Sequence, residues 1–268
     1  MPASRHNVGM AYVVAFANQK GGVAKTTTVV TVAAALAEQG RRVLVVDLDA
    51  QGCATFCLGF DPEDLQLTIA DVMIGADKSS ATEVLLSSEE GVDLLPASLD
   101  LARADQALAS TMGREYVLRD AIKPLRARYD WILLDCSPSL GIVTINALTA
   151  ADALIIPLQC ETLSHRGVGQ LLETIEDVRR FANSSLRVLG ILPTLFDGRT
   201  MHARAILTDL PVRYGLPVLE PIHRSIRFAE APATGRTILA TASQSRGAQD
   251  YRELAAYLVA SLGDDSTV

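Results

Sequence analysis

The chain has 268 residues, of which 49% are hydrophobic and 5% are aromatic, and it carries a formal net charge of −7. This length suits one large α/β domain or two small ones, and the acidic balance argues against a protein that coats nucleic acid with its whole surface. No apolar run is long enough to cross a bilayer, no secretory signal precedes the first strand, and the four cysteines lack the spacing of a metal site. We therefore expect a cytoplasmic protein.

A glycine-rich loop follows the first predicted strand. The apolar run Tyr12–Ala17 predicts a strand, Val29–Gln39 predicts a helix, and residues 20–28, the phosphate loop, join them with the sequence KGGVAKTTT. Backbone N–H groups converge at such a junction, and the helix dipole adds positive potential, so the loop is suited to bind phosphate. Lys25 would reach the β- and γ-phosphates, and the Thr26 hydroxyl would bind Mg²⁺.

The phosphate loop departs from the standard pattern G-x-x-x-x-G-K-[ST] at two positions. Gln19 and Ala24 replace its glycines, and a second lysine, Lys20, lies five residues before Lys25. A turn that only happens to carry lysines is the alternative, but Gly-Gly followed by Lys-Thr-Thr at this junction favours phosphate binding. If the backbone at Ala24 needs a positive φ, alanine costs about 1 kcal/mol or more there.

The second predicted strand ends in a pair of aspartates. Arg42–Asp47 is apolar until Asp47, and Asp49 follows after one residue. Ligands of open parallel sheets bind at the carboxyl ends of the strands, so both carboxylates are placed to handle Mg²⁺ or water. Helix capping or loop solvation is the alternative role.

The stretch from residue 60 to residue 128 carries the weakest signals. Helices are predicted at Thr68–Ile74 and Thr82–Leu86, a strand at Val92–Leu95, and further helices up to about Arg128. No composition break, Gly/Ser linker or internal repeat divides the chain here.

A second strand-end carboxylate follows. Tyr129–Asp135 predicts a hydrophobic strand that ends in Asp135 and runs into a turn. This is the Walker B arrangement, in which the carboxylate holds Mg²⁺ directly or through a water. Many buried strands end in aspartate, so the signal gains its weight from the phosphate loop earlier in the chain.

Strands and helices continue to alternate up to the end of the chain. Strands are predicted at Ala153–Leu158 and Val188–Leu192, and helices end at about Phe181, Arg213 and Leu262. This alternation predicts an α/β fold: one doubly wound domain with a mostly parallel sheet of about seven strands and helices on both faces. We expect a disordered tail at residues 1–10, the domain at residues 11–262 and an acidic tail at residues 263–268.

The segment from Phe181 to Asp250 is basic although the chain is acidic. It holds eight arginines and five acidic residues, a net charge of +3, and no lysine occurs after Lys123. Arginine is the side chain suited to bidentate phosphate contacts, so this segment is a candidate nucleic-acid surface.

Several motifs, in the same order, resemble those of the ParA/MinD ATPases. The phosphate loop is similar to their deviant Walker A motif, whose mark is the extra lysine, here Lys20. Residues 47–55 (DLDAQGCAT) resemble D-x-D-P-Q-G-N-A-T, and residues 135–141 (DCSPSLG) resemble D-C-P-P-S-L-G, with Ala50, Cys53 and Ser137 as departures. Further similar segments lie at residues 157–161, 226–232 and 245–248. The resemblance covers almost the whole chain and implies a P-loop NTPase fold.

The resemblance implies an ATPase that uses ATP and Mg²⁺. Its nucleotide contacts would come from Lys20, Gly21, Gly22, Val23, Ala24, Lys25, Thr26, Thr27 and Pro193. Lys20, Lys25 and Asp49 would be the catalytic residues: Lys20 reaches the partner's phosphates across a face-to-face homodimer, and Asp49 orients the attacking water. Thr26 would bind Mg²⁺, with Asp47 and Asp135 supporting the ion. Hydrolysis is then slow until a partner protein stimulates it.

Three arginines, Arg199, Arg224 and Arg227, fall where ParA proteins of the chromosomal type bind DNA without sequence preference. The resemblance thus implies a switch on nonspecific double-stranded DNA at the nucleoid, in which ATP-driven dimerisation doubles the arginines on one face. A ParB-like protein would be the stimulating partner, and the process would be chromosome or plasmid partition. Solvated surface arginines without a ligand are the alternative.

Other functions share these motifs. A ParA-like ATPase can position another cargo, such as a carboxysome, a chemotaxis cluster or the division machinery. A MinD-like membrane switch is disfavoured because Asp264 and Asp265 would be repelled by an anionic membrane. A reductase resembling the nitrogenase iron protein would need cysteines around a shared Fe–S cluster, and a dinucleotide oxidoreductase would need G-x-G-x-x-G. The short segment before Tyr12 argues against the larger plasmid ParA type.

Overall fold

The computed structural model describes residues 10–75, 79–160 and 165–263. Nearly all of the expected tail at residues 1–10, and the acidic residues Asp264 and Asp265, lie outside these ranges. The described chain folds around one sheet of seven strands, as expected. These strands are β1 (Tyr12–Phe16), β2 (Val43–Leu48), β3 (Leu86–Ser87), β4 (Val92–Leu95), β5 (Trp131–Cys136), β6 (Ala153–Gln159) and β7 (Arg187–Thr194).

The sheet is parallel except at one edge. Its order is β3-β4-β2-β5-β1-β6-β7, and only β3 runs antiparallel to its neighbour. β1 lies between β5 and β6, with Phe16 opposite Asp135, and β2 lies on the other side of β5, with Asp47 opposite Asp135. The carboxyl ends of β1, β2 and β5 therefore meet at one place, where a parallel sheet binds its ligands.

Helices cover both faces of the sheet. They are α1 (Lys25–Glu38), α2 (Cys53–Cys57), α3 (Ile69–Ile74), α4 (Ala104–Ala107), α5 (Val117–Ile122), α6 (Ile142–Ala150), α7 (His165–Phe181), α8 (Met201–Tyr214), α9 (Arg227–Glu230), α10 (Ile238–Thr241) and α11 (Arg246–Leu258). Short 3₁₀ segments lie at Leu99–Arg103, Arg114–Tyr116, Lys123–Leu125 and Ala231–Thr234, and a π-helical turn, Val259–Gly263, continues α11. None of the helices that the structure describes is long and apolar enough to cross a membrane.

Alternate residues of each central strand belong to two separate cores. In β1, Val13 and Ala15 pack into the core beneath α3 to α8, whereas Val14 and Phe16 pack into the core beneath α1, α2 and α9 to α11. A strand buried on both faces needs apolar residues at consecutive positions, which explains its unbroken hydrophobic run. The doubly wound α/β fold is confirmed.

The helix predicted at Thr82–Leu86 is wrong. The structure has a turn there, followed by β3, in which Leu86 and Ser87 pair with Leu94 and Asp93 of β4. The Ser87 hydroxyl donates to the Asp93 carboxylate at 2.6 Å, and Gly91 takes a φ of 73° in the connecting turn. Pairing with the free edge of β4 thus overrides the weak local helix preference.

Candidate functional site: a phosphate loop beside two buried aspartates

The phosphate loop joins β1 to α1 in a constrained conformation. Gly22 has a φ of 74°, and Ala24, directly before α1, has φ 58° and ψ 32°. The Thr28 hydroxyl and backbone N–H both donate to the Ala24 carbonyl, at 2.7 and 3.0 Å. Ala24 therefore adopts the left-handed conformation that the standard loop assigns to glycine, which answers the question that the sequence raised.

Asn18 fixes the start of the loop. Its side chain is 1% exposed, donates to the Pro157 carbonyl at 2.6 Å and accepts from the Lys20 backbone N–H at 3.0 Å. Because Pro157 belongs to β6, this amide ties the backbone of Lys20 to a central strand. The sequence offered only one signal for this role, a polar residue at the end of an apolar strand.

Two aspartates lie side by side beneath the loop. Asp47 of β2 and Asp135 of β5 are opposite each other in register, and neither is exposed to solvent. Burial raises the pKa of both carboxyl groups, and the charge of Asp47 raises the pKa of Asp135 further. A cation next to the pair would favour the charged form of both groups.

Thr26 connects the loop to Asp135. The Thr26 hydroxyl donates to Asp135 Oδ2 at 2.7 Å, while Asp135 Oδ1 is buried and has no hydrogen-bond partner among the described residues. An unpaired buried carboxylate oxygen is unfavourable, and a water of a hydrated Mg²⁺ ion would satisfy it. The residues present therefore fit a magnesium site in which Thr26 and Asp135 are neighbours.

Asp47 holds the protein rather than facing the site. Its carboxylate accepts from the Asp49 backbone N–H at 3.1 Å and from the Thr55 N–H and hydroxyl at 2.9 and 2.8 Å. Thr55 in turn accepts from the N–H of Ala97 at 3.0 Å. Asp47 thus fastens α2 and the segment after β4 to β2, which suits support of an ion from a distance.

A cleft of about 990 Å³ opens above the loop. Of the predicted site residues, it is lined by Gly21, Gly22, Ala24, Lys25, Thr26, Thr27 and Asp49. Lys20, Val23, Asp47, Asp135 and Pro193 do not line it. Apolar side chains that sequence reasoning missed make up much of the remaining wall: Phe56, Pro62, Leu65, Leu99, Pro138 and Pro232. They come from five separate segments, so no local pattern indicated them.

Pro193 lies at the end of β7, one residue before Thr194. It is buried, and its carbonyl accepts from the Ile222 N–H at 2.8 Å. The role of Pro193 in nucleotide binding stays a prediction.

Arg199 and Arg224 are brought together by an ion pair and a short backbone pairing. Arg199 is 90% exposed and binds Asp197 through two hydrogen bonds of 2.9 Å. These bonds lower the pKa of Asp197 to about 2, and the nearby charge of Arg224 acts in the same direction. The two predicted DNA-binding arginines therefore flank one carboxylate.

Arg227 begins the short helix α9. Its exposed guanidinium pairs with Glu230 at 2.8 Å, while its neighbour Phe228 is buried and packs edge-on against Tyr251 of α11, with ring centroids 5.6 Å apart. Pro232, five residues after Arg227, lines the cleft. One short segment thus carries both a predicted DNA contact and a wall of the nucleotide cleft.

The comparisons with known proteins agree with this geometry. A family model described as an AAA domain matches residues 11–188. Sporulation initiation inhibitor protein Soj of Bacillus subtilis is 39% identical over 248 residues, which is 92% of this chain and 97% of Soj. The chromosome partitioning protein ParA of Caulobacter vibrioides is 39% identical over 247 residues, which is 91% of this chain and 92% of that protein. The chain belongs to the ParA/Soj/MinD family of ATPases.

A solved structure shows what a relative binds. Cobyrinic acid a,c-diamide synthase from Mycobacterium smegmatis, solved with ADP and magnesium, is 49% identical to this chain with a TM-score of 0.84. The match covers 95% of this chain and 97% of that one. The same relative has also been solved with an ATP analogue and magnesium. The family resemblance seen in the motifs is therefore confirmed, and relatives of this ATPase bind adenine nucleotides with magnesium.

Proposed function

We propose that this protein is an ATP-dependent dimerising switch that binds double-stranded DNA without sequence preference and drives chromosome or plasmid partition with a ParB-like partner. The observation that carries the proposal is the short distance along the chain between the cleft and the arginines. Arg227 and Pro232 lie in the same short segment, so a change in the cleft reaches the DNA-binding surface directly.

Nucleotide binding is assigned to the phosphate loop. Lys25 holds the β- and γ-phosphates at the positive end of α1, and Gly21, Gly22 and Val23 to Thr27 surround them with backbone N–H groups. Thr26 binds Mg²⁺, and Asp135, with its unpaired buried oxygen, accepts from a water of the ion. Bound Mg²⁺ neutralises the phosphate charge that develops during hydrolysis.

Hydrolysis needs a positioned water and a second subunit. Asp49 lines the cleft next to the loop, where its carboxylate can orient the attacking water. Lys20 reaches the phosphates of the partner subunit, so that ATP lies in the interface of a homodimer. Asp47 keeps Asp49 in place through the hydrogen bond to its backbone N–H. Turnover is slow until the ParB-like partner binds.

DNA binding is assigned to Arg199, Arg224 and Arg227. Their exposed guanidinium groups can contact phosphates, which requires no reading of bases. In the described structure Arg199 and Arg227 are paired with Asp197 and Glu230, so phosphate contacts must compete with internal ion pairs. The resulting affinity falls steeply with salt, and the protein associates with the nucleoid.

An electrophoretic shift assay tests the proposal. Duplex DNA of arbitrary sequence is titrated with the protein in ATP, in ADP and without nucleotide, across a salt series. We expect a shift in ATP only, weakening as salt rises. Equal binding in all three states would contradict the switch.

Two charge reversals sharpen the test. R227E should abolish the ATP-dependent shift while leaving ATP-induced dimerisation intact. R119E is the matched control, because Arg119 is also exposed and paired with a neighbouring acid, but its helix α5 covers the opposite face of the sheet. Loss of dimerisation in R227E would instead make Arg227 a structural residue.

The cargo remains open between partition and another positioned structure, such as a carboxysome, a chemotaxis cluster or the division machinery. The name of the Mycobacterium smegmatis relative raises a second candidate, ATP-dependent amide formation. That reaction would consume ATP only with a carboxylate substrate and a nitrogen donor. ATPase activity that responds to cobyrinic acid with glutamine or ammonia, and not to DNA, would favour it over the switch.

A further inference from the structure

A buried hydrogen bond joins the phosphate loop to the strand that leads to the arginines. The hydroxyl of Thr194, the last residue of β7, donates to the Val23 carbonyl at 2.9 Å. Neither residue is exposed to solvent. Because water cannot replace this partner, loss of the hydroxyl would leave the Val23 carbonyl unsatisfied.

Strained backbone follows the bond on both sides. Ala24 comes directly after Val23 and Leu195 directly after Thr194, with φ angles of 58° and 50°. Across residues 10–75, 79–160 and 165–263, these two are the residues other than glycine with positive φ. Such conformations persist only where the surrounding structure holds them, and they cluster at functional sites and switches.

The segment after Thr194 holds the arginine surface by backbone hydrogen bonds. The Phe196 N–H donates to the Ile222 carbonyl at 3.0 Å, and the Arg224 N–H donates to the Phe196 carbonyl at 3.1 Å. On the other side of Thr194, the Pro193 carbonyl accepts from the Ile222 N–H at 2.8 Å. Arg224 therefore moves with the backbone that contains Thr194.

Arg199 is attached to the same backbone. The Asp197 carboxylate, two residues after Leu195, accepts from the Arg199 N–H at 3.1 Å and pairs with its guanidinium. Two of the three predicted DNA contacts are thus linked to the nucleotide loop through Thr194, with no flexible linker between them.

We propose that Thr194 is a positioning residue that couples the phosphate loop to the Arg199 and Arg224 surface. This inference rests on the proposed function. The bond to the Val23 carbonyl favours one arrangement of Leu195 and the following residues when the loop holds ATP, and that arrangement binds DNA. Removing the bond leaves both sites in place but lowers the free energy of coupling between them.

The test compares T194V with T194S. Valine keeps the shape of threonine without its hydroxyl, whereas serine keeps the hydroxyl. The quantity measured is the ratio of DNA affinities in ATP and in ADP, beside the affinity for a fluorescent ATP analogue. We expect T194V to lower the ratio about tenfold while nucleotide affinity changes less than about threefold, and T194S to restore it.

The matched control is T149V. Thr149 is a buried threonine of α6 whose hydroxyl has no hydrogen-bond partner among the described residues, so this variant removes a hydroxyl without breaking a bond. It should leave the ratio unchanged. If T194V does not fold, L195G takes its place: it keeps the Thr194 hydroxyl but frees the backbone that carries the coupling, and it too should lower the ratio.

Each result decides a separate claim. A wild-type protein whose DNA affinity is the same in ATP and ADP overturns the switch and the coupling together. A nucleotide-dependent wild type with an unchanged ratio in T194V, or in L195G where that variant replaces it, overturns the coupling alone. Equal losses of nucleotide affinity and of DNA affinity in both states make Thr194 a structural residue, which also overturns the coupling.

Discussion

The Tyr251 hydroxyl lies 3.2 Å from the Thr28 hydroxyl, and both side chains are fully buried. Thr28 uses its own proton in the bond to the Ala24 carbonyl, so Tyr251 is the donor of this pair. A chain of two hydroxyls therefore runs from α11, the last long helix, to the strained residue of the phosphate loop.

The first prediction concerns the strained alanine. A24G removes the penalty of a Cβ at φ 58° but adds conformational freedom to the unfolded chain, and we expect a net gain of about 0.5–1 kcal/mol in the free energy of unfolding. Denaturant unfolding measures it. A37G is the matched control, because Ala37 lies in the regular part of α1, where glycine should lose about 1 kcal/mol. A loss in both variants would show that the positive φ carries no penalty.

The second prediction concerns the residue that fixes Lys20. N18A leaves the Pro157 carbonyl and the Lys20 N–H without their partner and should lower ATP-induced dimerisation about tenfold, because Lys20 is no longer held towards the partner subunit. ATP binding by each subunit should change less than about threefold. Size-exclusion chromatography in ATP and nucleotide titration measure the two effects.

Its control is N183A. Asn183 donates to the carbonyls of Leu148 and Ala151 at 3.0 and 2.7 Å, in a position away from the loop, so this variant also loses two buried hydrogen bonds. It should become less stable and still dimerise in ATP. If N183A loses dimerisation as much as N18A does, general destabilisation explains both.

The third prediction concerns the ion pair at the arginine surface. D197N removes the charge that holds Arg199 but keeps an oxygen for the Arg199 N–H, and we expect nonspecific DNA affinity in ATP to rise about threefold to tenfold, with a steeper salt dependence. D209N breaks a comparable exposed pair with Arg213 on α8 and should change the affinity little. Unchanged or weaker DNA binding in D197N would mean that Arg199 does not contact phosphate.

The fourth prediction concerns alkaline pH. Burial raises the pKa of Tyr129 and Tyr251 above the ordinary value of about 10. A raised pKa in the folded state means that the neutral phenols contribute stability in full below about pH 10, and that this contribution is lost as the pH rises further. Phenolate absorbance should show two of the six tyrosines ionising only as the protein unfolds.

Y251F provides the control for that titration. Only one late phenol should remain, and the loss of the bond to Thr28 should lower the free energy of unfolding by about 1 kcal/mol. If both buried phenols ionise before unfolding, the hydroxyl chain to Ala24 is open to solvent.

The central strands and the loop were predictable because their signals are local. Burial on both faces forces continuous apolar runs, so β1, β2 and β5 were found to within two residues at each end. Ala24 was identified as the difficult position of the loop because the helix start fixes its conformation. The edge strand β3 was missed because its two residues become a strand only by pairing with β4.

The remaining site features depend on distant parts of the chain. Thr194 contacts Val23 across 171 residues, and Asn18 contacts Pro157 across 139. The apolar wall of the cleft gathers Phe56, Leu99 and Pro232 from three elements. No pattern within a window of the sequence reports such meetings. The arginines were found from their density and resemblance, but their pairing with Asp197 and Glu230 required the fold.

The packing of α11 on α1 also sets when the protein can first function during its synthesis. Thr28 and Tyr251 are separated by 223 residues, so at about 5–20 residues per second the ribosome needs roughly 10–45 s to make the segment between them. β1 likewise waits for β5 and β6 before it has neighbours in the sheet. The phosphate loop is thus among the first segments translated and among the last to be completed, and a nascent chain that stops before α11 should not bind ATP.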